Sequence, residues 1–327
     1  MSNSFELTSS SPSLVWKEWL WQLSFLKAVH DDQLRLHLGF GYYLGAPIET
    51  DIWRVNRWRT GDTESGERLI EDYCKLVKNI DPIFNLTELD KLAQIISIPS
   101  LINGRKVNIS TDVVRMQVEV SNLVNLGVLD GIESILEVGG GYGQLCAGLI
   151  NANVCRRYYI VDFPEVLSLV QRWISQLNLK VSIHSHTELN IDPKDLTLDG
   201  IHLISNSLIT KLKRPLHVDL MINTNSFFEM SSEQVKDYIS SRYIKYNLLY
   251  SSNRDRQILN QELKSLTELF SSIGILWPDY NSLSELQRSS LKKKVYLMHP
   301  GEHYQFPRGI GFEEIHGIFG KEMPALG

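Results

Sequence analysis

The chain of 327 residues has few cysteines and no long apolar run, and each shortage excludes a class of protein. Cys74, Cys146 and Cys155 are widely spaced and form no paired Cys/His pattern, which argues against a disulfide framework or a zinc site. No apolar stretch approaches the roughly 18 residues that cross a membrane, and the N-terminus lacks a signal-peptide pattern. We therefore expect a cytoplasmic protein that contacts no membrane.

The chain also lacks an excess of positive charge. Its formal net charge is −5 and its pI is about 6.0, so it has no basic footprint for the phosphates of a nucleic acid. No group of Asp, Glu and His has recognisable metal-ligand spacing. We expect a metal-independent protein whose partners are small molecules and not nucleic acids.

The pattern of apolar residues divides the chain into three parts. Residues 1–13 are rich in serine and are predicted to be a flexible tail. Residues 14–127 are predicted to form an α-helical N-terminal region for substrate binding or oligomerisation, with helices over 14–38, 66–78, 86–96 and 111–125. Tryptophans on the first of these helices indicate packing on the core or on a second subunit in a homodimer. Residues 128–327 are predicted to form the remaining domain.

Strands and helices alternate in this last part. The predicted strands are 134–138, 157–162, 201–205, 218–223 and 246–251. Helices are expected to follow the first two strands and to cover 232–243, which Ser231 or Ser232 begins. A strand or hairpin is expected within 180–195, and a late strand at 292–299. The alternation predicts an α/β fold, a mostly parallel sheet with helices on both faces.

The most informative segment is a glycine-rich turn between a strand and a helix. Gly139, Gly140, Gly141 and Gly143 follow Glu137, which lies near the end of the strand. The turn matches neither the dinucleotide fingerprint, which needs a third small residue at 144 or 146, nor a phosphate loop, which needs Gly-Lys-Ser/Thr. An acid at this point suits a ligand with an ammonium group. The segment therefore predicts a site for S-adenosylmethionine, which carries an amino acid, an adenosine and no phosphate.

The next strand ends in a second acid. Asp162 lies 162 − 143 = 19 residues beyond the last glycine, close to the spacing of about 20 residues at which an acid accepts hydrogen bonds from ribose hydroxyls. Asp162 is thus the ribose candidate, and Phe163 is placed to lie against adenine. In the other interpretation Asp162 only begins the next helix, in which Pro164 is an early residue.

A third segment places polar residues after an apolar strand. Asn223 to Ser226 follow the run 218–222, and Glu229 comes just before the next helix. Ligands of open α/β sheets bind beyond the carboxyl ends of strands, close to the reversal of strand order. This polar cluster is therefore expected near the reacting atoms.

These segments together resemble a known family. Residues 136–143, 161–164 and 222–230 are similar to the bacterial sugar O-methyltransferase family of class I S-adenosylmethionine-dependent methyltransferases, over roughly residues 110–255. The resemblance implies a Rossmann-like seven-stranded sheet with an antiparallel edge, and S-adenosyl-L-homocysteine as product. The cofactor-binding residues predicted from the motifs and the resemblance are Glu137, Gly139, Gly140, Gly141, Tyr142, Gly143, Asp162, Phe163, Asn206 and Asn223.

Transfer of a methyl group to a sugar hydroxyl needs a base to remove the hydroxyl proton. Glu229 is the first candidate, His184 and His186 are the next, and Asn225 is a candidate for orienting the acceptor. His184 and His186 alternate along a predicted strand and so share one face. The alternative for Glu229 is structural, since a glutamate before a helix stabilises the helix N-terminus.

Several alternatives stay open at this point. Arg54, Arg57 and Arg59 suit the diphosphate of a nucleotide-sugar acceptor, although solvated loop arginines are the simpler interpretation. An N- or C-methyltransferase acting on a biosynthetic small molecule shares the same cofactor motifs. A Rossmann-like NAD(P)-dependent oxidoreductase, or a non-catalytic cofactor-binding partner protein, also has a strand, a glycine turn and a helix.

Overall fold

A computed structural model describes most of the α/β part of the chain and shorter pieces elsewhere. The described residues are 16, 20, 23–31, 34, 74, 78, 80–86, 98–102, 105–109, 111–186, 191, 194–253, 262–263, 265–272 and 294–298. The predicted tail at 1–13, the arginines Arg54, Arg57 and Arg59, and most of the predicted helices 66–78 and 86–96 lie outside them.

Ahead of the large sheet lies a hairpin that we did not predict. Strands β1 (Ile98–Ile102) and β2 (Arg105–Ile109) pair antiparallel, so the region 14–127 is not helical throughout. Asn103-Gly104, which lies between them in the sequence, is the dipeptide typical of two-residue hairpin turns. Helix α1 (Thr111–Asn125) follows with the bounds that the sequence predicted.

Parallel strands alternate with helices after α1. In chain order the elements are β3 (Ser134–Val138), α2 (Gln144–Asn151), β4 (Arg157–Asp162), α3 (Pro164–Ile174), β5 (Ile183–His186), β6 (Gly200–Ser205), α4 (Asn206–Ile209), β7 (Leu216–Thr224), α5 (Ser232–Ile239), β8 (Ile244–Ser252), α6 (Leu266–Ser272) and β9 (Lys294–Met298). The predicted mostly parallel α/β sheet is confirmed. Helix α5 begins after Ser231, which forms a capping box with Gln234.

The sheet has the strand order β5-β6-β4-β3-β7-β8-β9. The late strand predicted at 292–299 is present as β9, but the prediction of an antiparallel edge is wrong. Strand β9 pairs parallel with β8, with Leu248 opposite Lys294 and Ser252 opposite Met298. A parallel pair needs a long crossover connection, and residues 253–293, with α6 among them, are long enough to provide one.

Each face of the sheet carries a separate apolar core. Alternate residues point to opposite faces: Ile135 and Ile160 pack in the cluster that contains α2 and α3, while Leu136 and Val161 pack in the cluster that contains α5 and α6. Helices therefore cover both faces, which explains why β3 and β4 are buried along nearly their whole length. Among the described residues, no helix is long and apolar enough to cross a membrane.

The described N-terminal pieces pack against the first of these faces. Leu23 and Leu26, in the 3₁₀ helix Leu23–Ala28, belong to the same cluster as Trp173 of α3. Arg172 fixes the contact, because its guanidinium donates to the carbonyl of Leu26 at 2.7 Å, to the carbonyl of Val29, and to Asp31 at 2.6 Å. Residues 26–31, which are far from α3 in the sequence, are thereby held beside it.

The path of the chain places a crevice between β3 and β7. From β3 the chain proceeds outward through β4 to the edge strand β5, returns to β6, and then crosses to β7 and β8 on the other side of β3. Backbone connections leave the carboxyl ends of β3 and β7 in opposite directions, which opens a crevice beyond the sheet.

The glycine at the start of α2 gives a test of the packing between α2 and α3. Gly143 has φ = +90°, and a Cβ there would lie 2.9 Å from Cγ1 of Val170. We expect Gly143→Ala to lower the free energy of unfolding by about 2–4 kcal/mol, from the left-handed backbone and from overpacking. Denaturant titration measures this loss.

Gly131→Ala is the matched control for that substitution. Gly131 has φ = +70°, but a Cβ there would meet nothing within 4 Å. Its substitution should cost only about 1–2 kcal/mol, the backbone part of the effect. Equal losses for the two variants would contradict the packing of Gly143 against α3.

Candidate functional site

A cleft lies at the reversal of strand order, over the turn between β3 and α2. It has an empty volume of about 640 Å³, which includes space open to solvent. We call this part the first compartment. It is lined by Trp16, Met116, Glu137, Gly139, Gly140, Gly141, Tyr142, Gln144, Asp162, Thr224, Asn225, Ser226 and Glu229.

A second compartment adjoins the first and shares four of its residues. It is lined by Trp16, Gly139, Val161, Asp162, Phe163, Asn206, Ser226, Met230, Gln234 and Tyr238. The two compartments therefore bring together most of the residues that the sequence predicted as cofactor-binding, from three strand ends and the turns that follow them.

Glu137 is the acid at the floor of the first compartment. Its side chain is 1% exposed, and the Tyr158 hydroxyl donates to its Oε2 at 2.9 Å. Burial raises the pKa of Glu137 to about 7, against the lowering effect of the Tyr158 hydrogen bond. The carboxyl group is thus held near its titration point at neutral pH, and a bound cation would favour its ionised form.

Asp162 lies where the two compartments meet. The backbone N–H of Phe163 donates to its Oδ1 at 2.7 Å, and burial raises its pKa to about 8, with a further contribution from the charges of Glu137 and Glu229. Phe163, and not Asp162, is the N-cap of α3. The side chain of Asp162 therefore serves the cleft more than the start of the helix.

The turn itself depends on the close approach of two loops. Gly139 has φ = +71°, and a Cβ there would lie 2.2 Å from Oγ of Ser226. Ser226 in turn donates to the carbonyl of Val138 at 3.0 Å, at the end of β3. Only glycine allows the loop after β7 to pack so closely on the loop after β3.

Asn223, predicted to bind the cofactor, has a different position. It is fully buried, its Nδ2 donates to the carbonyl of Val138 at 2.7 Å, and its Oδ1 accepts from the Phe227 N–H at 3.1 Å. These contacts hold the loop after β7 against β3. Asn223 lines neither compartment, because its amide is hydrogen-bonded to backbone groups. Gly143, also predicted to bind the cofactor, lines neither compartment.

Two of the predicted catalytic residues do line the first compartment. Glu229 ends the 3₁₀ helix Phe227–Glu229, and its Oε2 accepts from the Trp16 indole N–H at 3.2 Å. Asn225 has φ = +54° and its amide atoms have no hydrogen-bond partner among the described residues. Both residues thus line the first compartment, where the sequence placed the reacting atoms.

The two predicted histidines lie elsewhere. His184 and His186 share one face of β5, as expected, but they stack on His202 with ring centroids 4.8 and 5.4 Å away, and line neither compartment. Nε2 of His186 lies 3.1 Å from Nδ1 of His202. Strand β5 is the edge strand of the sheet. Strands β6 and β4 lie between it and β3, where the crevice opens.

Trp16 is a cleft residue that the sequence did not reveal. It lines both compartments, and its ring centroid is 5.5 Å from that of Phe163. The sequence predicted that Trp16 lies on the apolar face of a helix. The helical spacing alone does not show which distant strand this face packs against. The described N-terminal residues thus contribute a wall to the site.

A buried acid on α1 was also missed. Glu119 of α1 is fully buried and accepts from the Tyr250 hydroxyl at 2.6 Å and from the Ser252 hydroxyl at 2.8 Å. Its charge adds to the effects that raise the pKa of Glu137.

Within the described part of the chain, no group of three or more His, Cys, Asp or Glu residues has the arrangement of a metal site.

No family model and no curated protein matches this chain. Among solved structures it is similar to the mitomycin 7-O-methyltransferase MmcR, at 14% identity over 71% of this chain and 60% of that one, with a TM-score of 0.29. Coclaurine N-methyltransferase, bound to N-methylheliamine and S-adenosyl-homocysteine, has 15% identity, the same coverages and a TM-score of 0.30.

A third similar structure is M. capricolum TrmK in complex with S-adenosyl-homocysteine, at 17% identity, covering 37% of this chain and 49% of that one, with a TM-score of 0.25. The chain thus spans about half to three fifths of the length of these proteins. At such identities and TM-scores the likeness assigns no activity to this chain. The function proposed below therefore rests on the geometry of the cleft.

The raised pKa values of Glu137 and Asp162 predict how stability depends on pH. A carboxyl whose pKa is higher in the folded state stabilises the fold below its unfolded pKa, and this contribution is lost as pH rises through the folded pKa. For Glu137 the window runs from its ordinary value of 4.5 to about 7. We expect the loss at pH 8 to be on the order of 3 kcal/mol for this group.

Denaturant titration of the ligand-free protein at pH 5 and pH 8, compared with Glu137→Gln, isolates this contribution. The neutral glutamine still accepts from Tyr158, so the variant should lose less stability than the wild type between the two pH values. Glu268→Gln, at an exposed acid in α6, is the control and should follow the wild type. Parallel curves for wild type and Glu137→Gln would contradict the raised pKa.

Proposed function

We propose that this protein is an S-adenosylmethionine-dependent methyltransferase with a Rossmann-like fold, and that its acceptor is an oxygen of a sugar or sugar-containing small molecule. One observation carries the proposal: Glu137 and Asp162 are both buried and line one cleft over the glycine turn. A ligand in this cleft meets two carboxylates at separate points. S-adenosylmethionine offers an ammonium group to one and ribose hydroxyls to the other.

The charge of the cleft supports this cofactor over a dinucleotide. Among the described lining residues, three are acids, Glu137, Asp162 and Glu229, and none is lysine or arginine. A pyrophosphate here would find no cation and would disfavour ionisation of the acids, whereas a cationic group favours their ionised form and is attracted to it. This observation disfavours the NAD(P)-dependent oxidoreductase.

The compartments suit the two ends of the proposed cofactor. Phe163 and Tyr238 give the second compartment an aromatic lining that fits an adenine ring. Asp162, at the junction, would hold the ribose, and Glu137 would bind the ammonium group in the first compartment. When bound, the cofactor supplies a methyl group activated on a sulfonium.

The residues of the first compartment would then act on the acceptor. Aligning the attacking oxygen with the methyl group is an orientation effect that can contribute several kcal/mol. Glu229 is the proposed base for the hydroxyl proton, and the Trp16 indole N–H holds its carboxylate at the cleft. Asn225 is proposed to orient the acceptor through its amide. N- or C-methylation stays the alternative, since the cofactor contacts are the same.

Two experiments test the proposal. Isothermal titration with S-adenosylhomocysteine, NAD and NADP should show binding of the first alone. Incubation with isotope-labelled S-adenosylmethionine and a small-molecule extract, followed by mass spectrometry, should place the label on a hydroxylated compound. Binding of NAD without S-adenosylhomocysteine would refute the methyltransferase, and a label on nitrogen or carbon would replace the O-acceptor by the alternative.

The role of Glu229 as base leads to a further prediction. Glu229→Gln keeps the hydrogen bond from Trp16 but cannot take a proton, so methyl transfer to the labelled acceptor should fall at least about a hundredfold. The affinity for S-adenosylhomocysteine should change by less than about threefold. Turnover is measured as the rate of label transfer at saturating cofactor.

Glu233→Gln is the control for that variant, because Glu233 is an exposed acid in the first turn of α5 and lines neither compartment. It should transfer the label at the wild-type rate. Retention of turnover in Glu229→Gln would assign Glu229 to the structure of the loop instead.

A further inference from the structure

Gln144 is a buried amide in the cleft that the roles given above do not use. It is the first residue of α2 and is 5% exposed. Neither its Oε1 nor its Nε2 has a hydrogen-bond partner among the described residues, although both atoms are out of contact with solvent. A buried amide without partners costs free energy, and a ligand that supplies the missing hydrogen bonds would remove this cost.

The backbone around Gln144 favours an anion. Helix α2 has eight residues, its N-cap Gly143 provides no side-chain cap, and its first turn contains no acid. The N–H groups at the start of a helix lack intrahelical acceptors, and the helix dipole is positive at that end. A carboxylate of a ligand, placed over the turn, would satisfy both the helix and an amide N–H.

The neighbouring residues indicate which carboxylate this is. Gln144 and Glu137 line the first compartment and not the second, where Phe163 and Asn206 lie. The compartment thus offers a carboxylate for a cation and, beside it, neutral donors for an anion. A group that carries both charges as substituents of one carbon, an α-amino acid, matches this pair.

We infer that Gln144 binds the α-carboxylate of the ligand, with Nε2 as donor beside the N-terminus of α2, while Glu137 binds the α-ammonium group. This inference rests on the proposed function and names the residue that holds the amino-acid end of the cofactor. No lysine or arginine is among the described lining residues. The neutral amide of Gln144 therefore donates the hydrogen bond to the carboxylate that a cationic side chain would otherwise donate.

Two nucleoside thioethers separate this role from a general effect on the cleft. S-adenosylhomocysteine carries the amino acid, and 5′-methylthioadenosine has the same adenosine and sulfur but a methyl group in place of the amino-acid chain. Isothermal titration of both ligands against wild type and Gln144→Ala should show a loss of at least tenfold for S-adenosylhomocysteine. The affinity for 5′-methylthioadenosine should change less than twofold.

Two further variants complete the test. Gln144→Glu should weaken S-adenosylhomocysteine binding more than Gln144→Ala does, because its carboxylate repels that of the ligand. Gln176→Ala, which removes an amide bonded to the carbonyl of Arg172 on α3 and outside both compartments, is the matched control and should bind both ligands as the wild type does. Gln144→Met, close to glutamine in size, replaces Gln144→Ala should the latter fail to fold.

The outcomes that overturn the inference differ from the one that overturns the proposed function. An unchanged affinity of Gln144→Ala for S-adenosylhomocysteine, or an equal loss for both thioethers, would remove Gln144 from the carboxylate site and leave the proposed function intact. Failure of the wild-type protein to bind either thioether would overturn the proposed function, and this inference with it.

Discussion

The burial of two carboxyl groups at the ends of adjacent parallel strands is the constraint on which the site depends. Strands β3 and β4 pair with Glu137 opposite Ile160 and Val138 opposite Val161, so Glu137 and Asp162 emerge at the same edge of the sheet. Burial raises the pKa of both carboxyl groups, and the charge of Glu137 raises the pKa of Asp162 further. Such a pair is costly in an empty cleft, and a cationic, hydroxylated ligand offsets the cost.

The surrounding structure holds these acids in position without neutralising them with cations. The Tyr158 hydroxyl fixes Glu137, and the Phe163 N–H fixes Asp162. Asn223 and Ser226 attach the loop after β7 to the end of β3, which brings Glu229 to the opposite wall. Trp16 contacts both Glu229 and Phe163 and so forms one wall of the crevice.

The sequence predicted well those elements and residues whose positions depend on local patterns. The apolar runs and the glycine turn located the strands and α1 almost to the residue, and the order of strand, acid and glycines located Glu137 and Asp162 in one cleft. The hairpin β1–β2 was missed although Asn103-Gly104 signals it. What depends on distant contacts was not predictable from one sequence: Trp16 reaches the cleft through tertiary packing. His184 and His186 looked suitable as bases, but their strand lies at the far edge of the sheet.

A crystal structure of the protein with bound S-adenosylhomocysteine tests the central claim most directly. The account predicts the ligand's ammonium group at hydrogen-bond distance, about 2.7–3.2 Å, from a Glu137 oxygen, and its ribose hydroxyls on Asp162. It also predicts the adenine beside Phe163. A ligand bound elsewhere, or bound in this cleft with its amino-acid end away from Glu137, would contradict it.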